Sequence, residues 1–297
     1  MANFSGVGVA IVTPFNNDGT VDYKGFENVI NHIIKGGVNY IVVQGTTGES
    51  ATLTKKEKQA VLDFAVETIA GRVPVVFGHG GNYTDSLLEG FKSLNLEKVD
   101  AILSASPYYN KPTQEGIYQH YKALAEASPK PIILYNVPGR TGSNVAPETT
   151  IRLAKEFKNI IAIKDASGSL DQMGYLVKHK PQGFLVLSGD DNLIVPQVAV
   201  GADGVISVIA NALPARFSKM VHAALNGDAE TAREYYKLLY DIIPLLFKDG
   251  NPGGVKAVLK MMGVLQSDAV RLPLVPVSKA TYDELYRAVS EAGVTLE

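Results

Sequence analysis

Residues Pro131–Asp165, PIILYNVPGRTGSNVAPETTIRLAKEFKNIIAIKD, hold two short apolar runs on either side of an amphipathic segment. The runs PIILYN (Pro131–Asn136) and IIAIKD (Ile160–Asp165) are apolar along most of their length, which is typical of strands covered on both faces. The segment between them, Glu148–Phe157, is predicted to be a helix. A strand, a helix and a second strand in this order predict a parallel pair joined by a helical crossover.

The same unit recurs about eight times within roughly 225 residues, which predicts an α/β fold of the (β/α)8 TIM-barrel type. A doubly wound open sheet is the alternative, and the lack of a Gly-x-Gly-x-x-Gly turn after the first strand disfavours it. The other predicted strands are Val7–Val12, Tyr40–Gln44, Val73–Gly78, Asp100–Ala105, Phe184–Gly189 and Gly204–Ile209. The other predicted helices in this region are Tyr23–Lys35, Lys55–Ala70, Asp85–Leu94, Gly116–Ala127, Leu170–Lys178, Leu193–Val200 and Pro214–Asn226.

The strand pattern stops after Asn226, and only helical patterns follow it. These predicted helices are Ala229–Leu246, Gly254–Met262 and Lys279–Ala292. We therefore expect a barrel catalytic domain at 1–226 and a C-terminal helical appendix at 227–297.

The composition excludes several classes of protein. The chain has 297 residues, 46% of them hydrophobic, and a formal net charge of −2, so it has no general attraction to nucleic acid or to an anionic membrane. It has no cysteine, which rules out disulfides and zinc-thiolate sites. We see neither a signal peptide nor an apolar run of about 20 residues, the length of a membrane span. We predict a cytoplasmic location and no nucleic-acid or membrane partner.

In a barrel of this type the active site forms at the carboxyl ends of the strands, and Lys164 is the unusual residue there. It ends an apolar strand with no other charge, so burial should strip its hydration and favour the neutral amine. A neutral amine attacks ketones and forms a Schiff base. The alternative is a structural ion pair with Asp165, but neighbouring strand residues face opposite sides.

Schiff-base chemistry also needs a proton shuttle, and the neighbouring strand ends in Tyr135. The hydroxyl of Thr46 could link Tyr135 to a second phenol such as Tyr109. Thr47 and the backbone N–H of Gly48 could hold a small carboxylate. The alternative is that these tyrosines only pack and these threonines only cap helices.

The five histidines are scattered, and none is paired at metal-ligand spacing with a carboxylate, so we predict no metal site. Of these histidines only His79 lies at a predicted strand end. They are His32, His79, His120, His179 and His222.

Five motifs stand in a fixed order along the chain: GTTGES (Gly45–Ser50), YYNKP (Tyr108–Pro112), YNVPGRT (Tyr135–Thr141), IKDASG (Ile163–Gly168) and SGDD (Ser188–Asp191). In these motifs the sequence resembles the dihydrodipicolinate synthases. They are a branch of the pyruvate-dependent class I aldolases, a family that also contains N-acetylneuraminate lyase. The likeness extends over essentially the whole chain.

The resemblance implies a role for each matching residue. Lys164 would form the Schiff base with pyruvate. Tyr135, Thr46 and Tyr109 would form a proton relay, in which Tyr109 reaches across a dimer interface into the neighbouring site.

Further roles concern the two substrates. Thr47 would hold the pyruvate carboxylate, Gly189 and Ile206 would line the pocket, and Arg140 would bind the carboxylate of aspartate semialdehyde. The alternative for Arg140 is a surface ion pair. The resemblance implies no metal or organic cofactor, a homotetramer of paired dimers, and a condensation followed by cyclisation on the route to diaminopimelate and lysine.

The sequence departs from lysine-inhibited members of this family at their effector site. The residues at this site are Ser50, Ala51, Lys55, Lys58, Asn82, Ser86 and Tyr108. Lys55 and Lys58 replace histidines and Ser86 replaces a glutamate, so a cationic effector should bind poorly. We predict weak or absent inhibition by lysine. His79 stands where a small or aliphatic residue is expected.

Two other functions remain open at this point. The first is a sister lyase that splits a sialic acid or a keto-deoxy sugar acid and does not need Arg140. The second is a catalytically silent barrel that binds a keto acid, although such a protein would not need a proton relay.

Overall fold

The computed structural model describes residues 2–296. Within that range eight parallel strands close into a barrel in chain order, and the last strand pairs with the first. The strands are β1 (Gly6–Ala10), β2 (Tyr40–Val43), β3 (Val75–Gly78), β4 (Ala101–Ala105), β5 (Ile132–Asn136), β6 (Ile160–Asp165), β7 (Leu185–Ser188) and β8 (Gly204–Ser207). The predicted TIM barrel is confirmed.

Helices connect the strands and then continue beyond β8. The first nine are α1 (Tyr23–Lys35), α2 (Lys55–Ile69), α3 (Thr84–Ser93), α4 (Gln114–Ala127), α5 (Pro138–Thr141), α6 (Pro147–Glu156), α7 (Leu170–His179), α8 (Ile194–Ala199) and α9 (Pro214–Leu225). The last four are α10 (Ala229–Leu239), α11 (Ile242–Leu245), α12 (Gly253–Met261) and α13 (Lys279–Glu291). Three 3₁₀ turns lie at Thr46–Gly48, Ser50–Thr52 and Ile209–Asn211.

The barrel is filled by alternate residues of its strands, because successive side chains of a strand point to opposite faces. Ile133, Tyr135 and Ala162 belong to an inner cluster of buried side chains. Ile132 and Ile163 belong instead to the larger cluster between the strands and the helices. This alternation places Lys164, two residues after Ala162, on the inner side of β6.

One helix prediction is wrong. The segment predicted as a single helix, Ala229–Leu246, forms α10 and the short α11, with a break at Tyr240 and Asp241. Pro244 accounts for the break, because proline lacks an N–H and its ring collides with the carbonyl four residues earlier, here that of Tyr240. The short helix α5 after β5 was not predicted.

The helices after β8 share the outer hydrophobic cluster of the barrel. Leu239 of α10, Val255 of α12 and Leu285 of α13 are fully buried in the same cluster as Phe26 and Val61. The division into a barrel at 1–226 and an appendix at 227–297 remains a prediction. No helix within residues 2–296 combines the length and apolar character needed to cross a bilayer.

Candidate active site

Lys164 and Tyr135 lie side by side because their strands pair in register. Tyr135 of β5 is directly opposite Lys164 of β6. Lys164 is 5% exposed, and its Nζ lies 4.3 Å from the centre of the Tyr135 ring. A buried amine and a phenol in contact are the two groups that Schiff-base formation and proton transfer require.

Asp165 does not serve as the counter-ion of Lys164. Its carboxylate accepts hydrogen bonds from Asn136 Nδ2 and Ser167 Oγ, both at 2.7 Å, and from Gln172 Nε2 at 3.0 Å. These partners lie on the outer side of β6, as the alternation of side chains requires. In the part of the chain that the structure describes, Lys164 has no ion-pair partner.

A cavity of about 570 Å³ opens above Lys164 at the carboxyl ends of the strands. Its size suits a small-molecule substrate. The polar side chains and glycines in its wall are contributed by several loops; among them are Thr46, Thr47, Tyr135, Arg140, Lys164, Gly189, Asp190, Asp191 and Asn251. The structure therefore brings six of the predicted residues, Lys164 among them, to one cavity at the ends of β2, β5, β6 and β7 and in the loops that follow them.

Arg140 reaches this cavity from α5, the short helix that follows β5. Pro138 begins this helix, where its missing N–H leaves no hydrogen bond unmade. Arg140 is exposed, and within residues 2–296 its guanidinium has no carboxylate partner. The surface ion pair that was the alternative for this residue is therefore not formed inside the described chain.

Two aspartates in the cavity wall were not predicted as site residues. Burial raises the pKa of Asp190 to about 6, although the nearby ammonium of Lys164 opposes part of this increase. Asp191 is fully buried, and its Oδ2 accepts the backbone N–H groups of Val208 and Ile209 at 3.0 and 2.8 Å. The motif SGDD at the end of β7 was a usable signal for both.

The loop after β2 owes its shape to residues outside it. Thr46–Gly48 forms a 3₁₀ turn, and Thr13 Oγ1 donates to the carbonyl of Gly48 at 2.7 Å. Thr47 Oγ1 accepts a hydrogen bond from Asn251 Nδ2 at 3.0 Å. Glu49, in the left-handed region with φ of 52°, pairs with the buried Lys256 at 2.5 Å. Neither Asn251 nor Lys256 was predicted, although a lysine inside the apolar helix GGVKAVLKM is a signal.

Two predicted residues are not in the cavity wall of the described chain. Tyr109 is 88% exposed, with φ of 74°, and lines neither this cavity nor the second one described below. Ile206 is fully buried on β8, in the same inner cluster as Tyr135 and Ala162. The relay of three hydroxyls is therefore not assembled from this chain alone, and the pocket-lining role of Ile206 stays a prediction.

A second cavity, of about 1040 Å³, lies beside the first. All seven residues predicted to correspond to the effector site line it: Ser50, Ala51, Lys55, Lys58, Asn82, Ser86 and Tyr108. Partial burial lowers the pKa of Lys58. Neither Lys55 nor Lys58 forms an ion pair in residues 2–296. The wall also contains Lys56 and Glu89, so its lysines outnumber its unpaired carboxylate.

His79 has a structural explanation. Its Nε2 donates to the carbonyl of Leu87 on α3 at 2.9 Å, and its ring packs against Phe91 at 5.0 Å. A side chain at Gly90 would collide with the imidazole, since a Cβ there would lie 2.4 Å from His79 Cε1. His79 therefore joins the end of β3 to α3. Residues 2–296 contain no group of three or more metal-ligating side chains.

Comparisons with known proteins show to which family the chain is similar. The dihydrodipicolinate synthetase family matches residues 3–292. The 4-hydroxy-tetrahydrodipicolinate synthase of Parabacteroides distasonis is 49% identical over 292 residues, which cover 98% of each chain.

Two solved structures share the fold closely. One is a chloride-inhibited dihydrodipicolinate synthase from Acinetobacter baumannii complexed with pyruvate, with a TM-score of 0.95 and 40% identity, covering 99% of this chain and 100% of that one. The other is the enzyme from Cyanidioschyzon merolae with lysine bound, with a TM-score of 0.94 and 37% identity, covering 98% of this chain and 99% of that one. With this family match and this identity along its whole length, the chain belongs to the dihydrodipicolinate synthetase family.

Proposed function

We propose that this chain is a 4-hydroxy-tetrahydrodipicolinate synthase, which condenses pyruvate with (S)-aspartate semialdehyde in lysine and diaminopimelate biosynthesis. The observation that carries the proposal is the buried Nζ of Lys164 over the ring of Tyr135, at 4.3 Å, in a cavity whose wall includes Arg140. The names of the relatives and the pyruvate bound to one of them support the same reaction.

The first half of the reaction activates pyruvate. Lys164 Nζ attacks the keto carbon, and loss of water leaves an iminium ion on the lysine. Removal of a proton from the adjacent methyl group then gives an enamine. Tyr135 and Thr46 line the cavity where these protons would move, and Thr47, which also lines it, would hold the pyruvate carboxylate through its hydroxyl and N–H groups.

The second half joins the two substrates. The enamine carbon attacks the aldehyde carbon of the semialdehyde, and the aldehyde oxygen takes up a proton. The amino group of the semialdehyde then adds to the iminium carbon and displaces Lys164, which closes the ring. Arg140 supplies a planar pair of donors for the semialdehyde carboxylate, and a sugar-acid lyase would not need this group.

We further propose that the working site uses two copies of the chain. Tyr109, which is 88% exposed here, would complete the relay of a neighbouring copy. A homotetramer built from two such dimers and a cytoplasmic location remain predictions.

The test is pyruvate consumption by the purified protein with and without (S)-aspartate semialdehyde, followed by borohydride reduction in the presence of pyruvate. We expect consumption only with the semialdehyde, and a reduced pyruvate adduct located on Lys164 by peptide mass spectrometry. An adduct without consumption would indicate a sister lyase. The absence of any adduct would refute the aldolase mechanism and favour a silent keto-acid-binding barrel.

A further inference from the structure

The side chain of Asn251 contacts the active-site loop from the far end of the chain. Its Nδ2 donates to Thr47 Oγ1 at 3.0 Å, across a sequence separation of 204 residues. Asn251 is 7% exposed and Thr47 is 1% exposed, so water does not compete for this hydrogen bond. Both residues line the cavity that contains Lys164.

The direction of this hydrogen bond determines what the threonine can do. An amide NH₂ group only donates, so Thr47 Oγ1 must be the acceptor in this pair. A hydroxyl has a single proton, and this contact does not use it. The proton of Thr47 is therefore free to be donated to an anion in the cavity.

A merely structural asparagine would be expected to bridge two elements with both ends of its amide. Here Asn251 Oδ1 is buried and has no hydrogen-bond partner in residues 2–296. The only side-chain hydrogen bond of Asn251 in that range goes to Thr47. In that range the Asn251 amide therefore binds the Thr47 side chain and no other group.

A buried ion pair next to this contact restrains the loop. Glu49, two residues after Thr47, binds Lys256 Nζ through Oε1 at 2.5 Å and the backbone N–H of Arg271 through Oε2 at 3.0 Å. Lys256 also donates to the carbonyl of Ala269 at 2.9 Å. Asn251 lies two residues before α12 and Lys256 lies in its first turn, so one segment supplies both contacts to the loop.

We propose that Asn251 is a positioning residue, which orients the Thr47 hydroxyl so that its proton is donated to the carboxylate of pyruvate. This inference rests on the proposed function, since it assumes that pyruvate occupies the cavity above Lys164. It assigns to the segment that leads into α12 an indirect part in substrate binding, exerted through Thr47.

The experiment measures how much pyruvate is needed to trap the Schiff base with borohydride. Asn251→Ala leaves the hydroxyl without orientation, and Asn251→Asp turns the Thr47 proton toward the new carboxylate, which also repels pyruvate. The half-saturating pyruvate concentration should rise roughly tenfold for Asn251→Ala and more for Asn251→Asp. The rate at saturating pyruvate should fall less than about threefold, because Lys164 and Tyr135 are unchanged.

A double-mutant cycle isolates the contact. Thr47→Val removes the hydroxyl, so adding Asn251→Ala to it should cause no further increase in half-saturating pyruvate. In a Thr47→Ser background, which keeps the hydroxyl, Asn251→Ala should still raise the half-saturating pyruvate concentration. Asn28→Ala is the matched control, because Asn28 donates from α1 to the carbonyl of Val264 at 3.4 Å, on the exposed side of the same appendix.

The outcomes separate the two proposals. If the wild-type protein gives no adduct with pyruvate, the proposed function fails. If the wild type is trapped but Asn251→Ala and Asn251→Asp need no more pyruvate than Asn28→Ala, the positioning role is wrong. Additive effects of Thr47→Val and Asn251→Ala would also overturn it, because Asn251 would then act through another group.

Discussion

At the scale of single residues, the chemistry of this barrel depends on which side of a strand each polar group occupies. Lys164 and Asp165 are neighbours in sequence, yet the ammonium points into the barrel and the carboxylate points outward to Asn136 and Ser167. Had they faced each other, the charge of Asp165 would have stabilised the ammonium and opposed nucleophilic attack. The strand geometry separates them at no cost in side-chain conformation.

Arg140→Ala should weaken binding of the semialdehyde while leaving the pyruvate adduct intact. Loss of charge-assisted hydrogen bonds of roughly 1.5–3 kcal/mol predicts a rise of roughly 10- to 150-fold in the half-saturating semialdehyde concentration. Steady-state kinetics at saturating pyruvate measure this change. Arg152→Ala is the control, since Arg152 pairs with Glu115 on the surface. Equal effects of the two variants would exclude a specific role for Arg140.

His120 should make the protein less stable in mild acid. Burial lowers its pKa to about 4, below the ordinary value of 6.5. The unfolded chain therefore takes up this proton first, and the free energy of unfolding falls as the pH drops from about 6.5 to about 4, by roughly 3 kcal/mol.

Denaturant unfolding of the wild type and of His120→Gln across this pH range checks the prediction. The difference in the free energy of unfolding between the two proteins isolates the contribution of His120 from that of the other histidines. The difference should change between pH 6.5 and 4 and become constant below about pH 4. A difference that does not vary with pH would show that His120 does not titrate as expected.

At the scale of elements, α12 and the segment after it hold the loop between β2 and α2. Burial lowers the pKa of Lys256 to about 8, and the carboxylate of Glu49 opposes this shift. Lys256 Nζ also lies 4.3 Å from the centre of the Phe15 ring. Arg271 adds hydrogen bonds to Glu57 at the start of α2. The helices after β8 are thus joined to the barrel by apolar packing and to the loop after β2 by charged groups.

Lys256→Met should destabilise the protein strongly, because it leaves Glu49 buried without its counter-ion. Breaking a buried pair in this way costs roughly 3–5 kcal/mol. Lys260 lies on the same helix as Lys256 and pairs with Asp268 at the surface, so Lys260→Met should cost less than about 1 kcal/mol. Denaturant unfolding measures both. Similar losses of unfolding free energy for the two variants would mean that other groups compensate the negative charge of Glu49.

At the scale of the whole molecule, the described chain holds Lys164, Tyr135 and Thr46 around one cavity but directs Tyr109 outward. In a symmetric dimer each copy would present the same surface to the other, so each Tyr109 could enter the partner's site. Two variants that are each inactive, one without the Lys164 amine and one without the Tyr109 hydroxyl, should therefore form a mixed dimer that has one complete site.

Mixing Lys164→Ala with Tyr109→Phe after dissociation and reassociation should therefore restore activity. In each mixed dimer one site receives Lys164 from one chain and an intact Tyr109 from the other. The synthase assay of the mixture, against each variant alone, measures the recovery. A mixture no more active than the sum of its components would place Tyr109 in its own chain's site or outside the reaction.

Lysine should inhibit this protein weakly or not at all. The second cavity carries Lys55 and Lys58 in its wall, and their charges repel a cationic effector. Half-inhibition by lysine at submillimolar concentration would contradict the prediction. A variant with Lys55→His, Lys58→His and Ser86→Glu should become more sensitive, since it restores the side chains of lysine-inhibited relatives.

The sequence alone predicted the barrel and much of its chemistry. The alternation of apolar runs and amphipathic segments is a local, periodic signal, and it identified the eight strands. Because active sites of this fold form at the carboxyl ends of the strands, the same reading singled out Lys164, Tyr135 and Thr46. All three line one cavity.

Only the tertiary structure could reveal the contacts between distant segments. Asn251 lies 204 residues from Thr47, and Lys256 lies 207 residues from Glu49. A hydrogen bond or ion pair between two such residues leaves no periodicity in the chain, so neither partner predicts the other. Their meeting depends on how α12 packs against the loop after β2, and that packing is decided when the barrel closes and its helices bury their apolar faces.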